Sequence, residues 1–209
     1  MIYLNENGKY INMKAEDALK NEFLIFLSEK PVEKISVSEL CRKMNINRST
    51  FYSHYVDIYD LLNSVKEDLL KELDNLSNQI IEDRNRTAET VTKSVFDFIY
   101  KNRILLKYEF VLTKDQEYGD LVNKKVQKLF YDTMSQDYPH FKCIDKVELE
   151  STLAFLSYGY YAIYRKWLSN DCMDNTNNMA KIAINVTEKC MEAFEEQARV
   201  NYSDLYKSE

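Results

Sequence analysis

Between Arg48 and Tyr55 the sequence reads Arg-Ser-Thr-Phe-Tyr-Ser-His-Tyr, a guanidinium, an imidazole and a run of hydroxyls set around two aromatic anchors. Wound as a helix, Phe51 and Tyr55 stand one turn apart and point inward together, with Ile46 just before them. Arg48, Ser49, Thr50, Tyr52, Ser53 and His54 then face outward. Such side chains bind rather than catalyse. An arginine fork matches the two acceptors on a guanine edge, while Thr50, Tyr52 and His54 suit phosphate oxygens. Ser36 and Ser38 open a preceding helix, where free backbone N–H groups and the positive helix end favour a phosphate.

The charge distribution is compatible with that chemistry. The whole chain carries −6 and has a pI near 5.2, which by itself argues against nucleic acid. Residues 30–55, however, hold five basic side chains (Lys30, Lys34, Arg42, Lys43, Arg48) and two acidic ones (Glu33, Glu39). This stretch is therefore +3, and the remaining residues sum to −9. A basic island on an acidic body can meet phosphate locally.

The elements that must position these groups are helical. With only three Gly and two Pro among 209 residues, the chain has too few turn formers for a β-sandwich or a doubly wound sheet. Glycine-rich phosphate loops are excluded, because Gly8, Gly119 and Gly159 are far apart. No apolar run approaches the roughly 20 residues that span a bilayer, and no signal peptide is recognisable. The expectation is an all-α, cytoplasmic protein without cofactor. Its four cysteines (Cys41, Cys143, Cys172, Cys190) are expected to be reduced and buried.

Helical periodicity predicts about nine helices. Residues 1–13 are expected to be a loose arm. A first helix covers about 14–28, with Ala15, Ala18, Leu19, Phe23, Phe26 and Leu27 on one face. The second opens at Ser36-Val37-Ser38-Glu39, a capping box, and turns Val37, Leu40, Cys41 and Met44 inward. Asn45-Ile46-Asn47 breaks it, and Asn47 is set to cap a third helix over 48–55. From Asp57 a fourth helix carries Ile58, Leu62, Val65, Leu69, Leu73, Leu76 and Ile80 in a stripe of about six turns. Further helices follow over about 91–101, 102–112, 117–134, 145–168 and 176–199. The last turns Met179, Ile182, Ala183, Val186, Cys190, Ala193 and Phe194 inward.

In that order, Ile35 to Cys41, Ile46 to Tyr55, then Asp57 and Leu61-Leu62, the block over about 14–65 resembles the tetracycline-repressor (TetR) family of transcription regulators. The resemblance implies a helix-turn-helix DNA-binding domain over 14–56. It also implies a larger helical domain over 57–209 that binds a small-molecule inducer and carries the interface of a homodimer. The partner would be a palindromic double-stranded operator. By position, Thr50, Tyr52 and His54 match backbone contacts, and Arg48, Ser49 and Ser53 lie where base edges are read. The lysine common at the start of the fourth helix is replaced by Ile58, leaving the neighbouring Tyr59 as a substitute for its phosphate contact.

Three further constellations bear on function. Residues 152–168 are apolar around the whole helix, which points either to a central core helix of a monomer or to core on one side and a partner subunit on the other. For the latter, Tyr160, Tyr164 and Trp167, with Ile182 and Val186 on the last helix, are the expected interface. Aromatic residues between 96 and 118 are mostly core, and a pocket lined by Phe96, Tyr100, Tyr108 and Phe110 is the functional alternative. His140 and Cys143 are three apart, but two ligands do not make a tetrahedral site, so no metal is expected. No nucleophile, base and orienting group fall together, so no enzyme is expected. The competing reading is a helical adaptor that uses its N-terminal helices for protein contacts and ignores DNA.

Overall fold

In the computed structural model, residues 14–113, 117–137, 145–189 and 192 are described. The expected arm over 1–13, together with His140, Cys143, Cys190, Ala193 and Phe194, lies outside them. Every regular element among the described residues is helical. The chain divides into two compact units at Lys71/Glu72.

The first unit begins with α1 (Ala15–Glu29), whose Ala18, Leu19, Phe23, Phe26 and Leu27 are buried as the spacing predicts. The Lys30 N–H closes its end on the Phe26 carbonyl, and a 3-10 turn over Val32–Lys34 sinks Val32 into the core. Next comes α2 (Val37–Met44). Ser36 caps it by accepting from the Glu39 N–H at 3.2 Å. The other half of the predicted capping box is replaced: Glu39 Oε2 lies 2.6 Å from Lys30 Nζ, an ion pair back to the end of α1. Ser36→Ala is expected to lower stability by about 1 kcal/mol, the usual worth of such a cap. A urea midpoint identical to that of the unmodified chain would show that the cap contributes nothing.

The turn after α2 has a definite cause. Asn45 sits in the left-handed region (φ 55, ψ 44), which asparagine tolerates better than most residues. There the Ile46 N–H reaches back to the Cys41 carbonyl at 3.0 Å, a Schellman closure. The chain thus leaves α2 sharply and re-enters a helix at once as α3 (Arg48–Tyr52). This helix is shorter than the predicted 48–55. Both the His54 and Tyr55 N–H groups converge on the Phe51 carbonyl, at 2.9 and 3.0 Å, which tightens and ends it.

α4 (Ile58–Glu82) starts on Asp57, whose Oδ1 accepts from the Asp60 N–H, while Asp60 accepts in return from the Val56 N–H. Ile58, Leu62, Val65, Leu69, Leu73 and Ile80 are buried, and Leu76 partly so. Its first turns belong to the first unit, because Leu61, Leu62 and Val65 are buried and Asp68 receives Lys20 of α1 at 2.6 Å. Burial opposes the charge on Lys20, but its bonds to Asp68 and Glu16 outweigh that and hold the ammonium well above the usual lysine range.

In the second unit, α5 (Ala88–Lys101) opens on a reciprocal box made by two threonines, Thr87 and Thr90. The single helix predicted over 102–112 is instead α6 (Arg103–Lys107) followed by a π turn over Tyr108–Leu112. The Thr113 N–H reaches the Tyr108 carbonyl at 2.9 Å. Within that turn the Phe110 carbonyl accepts from Arg165 Nε at 2.8 Å, a side chain of a later helix. Then come α7 (Glu117–Asp137) and α8 (Lys146–Ser169), which pack on each other, α8 being capped by the Asp145 carboxylate. Asp171 and Cys172 take left-handed conformations, and the Trp167 indole donates to the Asp174 carbonyl, closing the turn into α9, residues 176–189. The thiols of Cys41 and Cys172 are free and buried.

The apolar residues of α8 fall on two faces, as expected for core on one side and an outward apolar surface on the other. Leu153, Leu156, Tyr160, Tyr164, Trp167 and Leu168 form one buried stripe. Phe155, Tyr158, Gly159 and Ala162 are exposed on the other side. On α9, Met179 and Ala183 are buried, whereas Ile182 and Val186 face outward and not inward as the periodicity suggested.

Candidate nucleic-acid interface

Phe51 and Tyr55 hold the segment from behind. Phe51 is fully buried and Tyr55 nearly so, their rings 5.8 Å apart. Phe51 also meets Tyr52 edge-on at 5.5 Å. Anchored this way, α3 turns Arg48, Ser49, Tyr52, Ser53 and His54 to solvent, with Thr50 half-buried. Tyr52 is 57% exposed although aromatic, so its phenol stands free of the core that Phe51 fills. Ser53 Oγ donates to the Thr50 carbonyl at 2.8 Å, leaving its oxygen as an acceptor. Ser36 and Ser38 are exposed at the start of α2.

The electrostatics favour an anion. Arg42, Lys43 and Arg48 are exposed on α2 and α3. Val56 and Tyr59, 78% and 52% exposed beside the start of α4, extend the same stretch of chain. The sequence pointed to Tyr59 as a substitute but gave no signal for Val56, whose apolar side chain lies in a turn without periodicity.

The geometry can therefore present donors from one short helix, set at the end of a tight helix-turn-helix, to an acceptor-rich surface. Comparison with known proteins decides what kind of protein does so. Residues 86–189, about half of the chain, match the family of the TetR C-terminal region, described as "Transcriptional regulator C-terminal region". The chain belongs to the TetR family of transcriptional regulators.

Solved structures share the fold of this TetR-family chain. A transcriptional regulator of the TerR/AcrR family from Aquifex aeolicus is 14% identical, covering 85% of this chain and 99% of that one, with a TM-score of 0.65. FadR from Bacillus subtilis, solved in complex with stearoyl-CoA, is 13% identical over 81% of this chain and 96% of its own, at 0.63. A TetR-family regulator from Streptomyces coelicolor is 14% identical over 93% and 89%, at 0.61. No curated protein matches the sequence.

The remaining candidate residues are placed differently from expectation. Tyr160, Tyr164 and Trp167 are 4%, 2% and 3% exposed, so they belong to the interior of the chain and not to an outer face. Tyr160 OH hydrogen-bonds with Thr187 of α9 at 2.9 Å, and Trp167 receives the rings of Phe96 and Tyr100. The outward apolar groups on α8 are instead Phe155 (67%) and Tyr158, while Ile182 and Val186 of the expected interface do face outward on α9. The signal for Phe155 and Tyr158 was the second phase of the α8 pattern: positions 155, 158, 159 and 162 repeat at helical steps just as 153, 156, 160 and 164 do.

Three of the four residues expected to line a pocket pack on α8. Phe96 and Tyr100 lie on Trp167, with the Arg103 guanidinium 4.5 Å from the Tyr100 ring centre. Phe110 packs between Tyr161 and Tyr164, and Tyr108 is half-buried on the π turn. Among the described residues no group of three or more His, Cys, Asp or Glu is placed to hold a metal, and no helix is long and apolar enough to cross a membrane.

Proposed function

We propose that this TetR-family chain is a ligand-responsive repressor that binds a palindromic operator as a homodimer. The observation that carries the reading is α3 itself, a polar, basic face backed by the buried Phe51 and Tyr55. Arg48, Ser49 and Ser53 read base edges. Thr50, Tyr52 and His54, with Ser36 and Ser38, hold the backbone. Tyr59 takes the phosphate that the family's usual lysine would reach, since Ile58 is buried.

A second copy of the chain covers the outward stripes of α8 and α9. Phe155, Tyr158, Ile182 and Val186 form an apolar surface, and a two-fold arrangement lets the same stripes face each other in a four-helix bundle. The second unit is the sensor. α4 contributes turns to both units and is the continuous element through which ligand occupancy biases the DNA-binding geometry. The operator contacts of two copies must lie about 34–36 Å apart, one turn of DNA, or a multiple, so a shift of a few ångströms weakens binding.

Fluorescence anisotropy with labelled duplexes tests the contact roles. Arg48→Ala is expected to cost about 1–3 kcal/mol on the preferred site and to narrow the gap to other sequences. Tyr52→Phe should weaken all duplexes alike. A changed base preference in Tyr52→Phe would reverse the assigned roles. Affinity must also fall steeply with salt; a chain that ignores DNA at low salt would support the adaptor reading.

A further inference from the structure

The seam of the π turn, α7 and α8 contains two deeply buried polar atoms without a hydrogen-bond partner. Asn123 is 4% exposed and its Oδ1 meets no donor; Tyr164 is 2% exposed and its hydroxyl is likewise unpaired. Native interiors satisfy nearly all such groups, so each exception calls for a reason. The seam's geometry supplies one. Gly119, one turn before Asn123 on α7, sits so close to Phe110 that a Cβ there would stand 3.2 Å from the ring, and 3.7 Å from Tyr161 Oη. The rings of Phe110, Tyr161 and Tyr164 lie within 5.4–5.7 Å of one another. Seven residues beyond Asn123, Phe130 meets Tyr160 at 4.8 Å. Asn123 therefore falls on the α7 face turned toward the Tyr160–Tyr164 stretch of α8, between those two contacts.

We propose that Asn123 and Tyr164 are the polar recognition groups of the inducer site, which takes a small, uncharged aromatic molecule bearing an N–H or O–H donor. This rests on the ligand-responsive reading above. The amide oxygen of Asn123 requires a donor, the Tyr164 hydroxyl can give or accept a proton, and the rings of Phe110 and Tyr161 accommodate a planar apolar body. A carboxylate fits poorly: it offers the Asn123 oxygen no donor and would be stripped of its water in so buried a seam. A widened π turn at this point also fits, since such turns recur at functional sites.

The test uses the full chain and thermal melts with three probes: benzamide, benzoate and toluene. Benzamide should raise the melting temperature in a concentration-dependent way, and benzoate and toluene should not. Asn123→Leu and Tyr164→Phe should each melt at or above the unmodified chain without ligand, because each removes an orphaned polar group. Each should need about tenfold more benzamide, or more, for half the shift, a loss of about 1.4 kcal/mol in binding. An undiminished benzamide shift in both variants, an equal shift with toluene, or none in the unmodified chain at millimolar benzamide overturns the site. Operator binding is measured on the same preparations. Retained DNA binding with no benzamide response removes this site alone, whereas an unmodified chain that fails to bind DNA removes the regulator reading.

Discussion

Phe51→Ala is expected to destabilise the first unit by about 3–5 kcal/mol and to abolish DNA binding. Phe51 is wholly buried, and its ring holds α3 against the core while meeting both Tyr52 and Tyr55. Truncation removes the apolar area and leaves a cavity beneath a five-residue helix that has few bonds of its own. The chain has one tryptophan, Trp167, buried in the second unit, so tryptophan fluorescence follows that unit while circular dichroism follows all helices. With m-values of about 1–3 kcal/mol/M, the first unit's urea midpoint should drop by about 1 M or more. The dichroism transition then separates from the fluorescence transition. Unchanged, coincident transitions would mean that α3 is held by something other than its aromatic anchors.

Phe155→Asp should yield a folded monomer. In the proposed dimer two-fold symmetry repeats the substitution in both halves of the interface, so a loss of about 2 kcal/mol at each copy becomes roughly a thousandfold weaker association. Sedimentation velocity should show the monomer, with helical content retained because Phe155 makes little core contact at 67% exposure. Trp167→Asp behaves differently. That side chain is 3% exposed, stacked on Tyr100 and bonded through its indole to the Asp174 carbonyl, so a charge there should unfold the second unit instead of dividing a dimer. A Phe155→Asp chain that sediments as a dimer would place the interface elsewhere.

The recognition segment was legible from side-chain type alone. Phe51 and Tyr55, spaced for one face, left the polar residues for the other, and the Asn45 break with the Ser36 cap marked the helix-turn-helix boundaries. Spacing misleads where one helix carries two apolar phases. Along α8 both stripes satisfy helical spacing, and only packing against Phe96, Tyr100 and Thr187 reveals which is core. The aromatic Tyr160–Tyr164–Trp167 line was the heavier of the two and was buried for that reason. The π turn was hidden as well: one of its carbonyls, that of Phe110, is bonded by Arg165, a residue more than fifty positions away. Nor could spacing show that Asn123 would be buried without a partner for its oxygen, since its neighbours on α7 alternate polar and apolar in an ordinary helical pattern.

Selection of randomised double-stranded oligonucleotides by the purified full chain tests the central claim most directly. Two inverted half-sites should emerge, their centres separated by one turn of DNA or a multiple of it, and Arg48→Ala should blur the same positions in each half. Recovery of no enriched sequence, or of one unpaired half-site bound by a single copy, would contradict it.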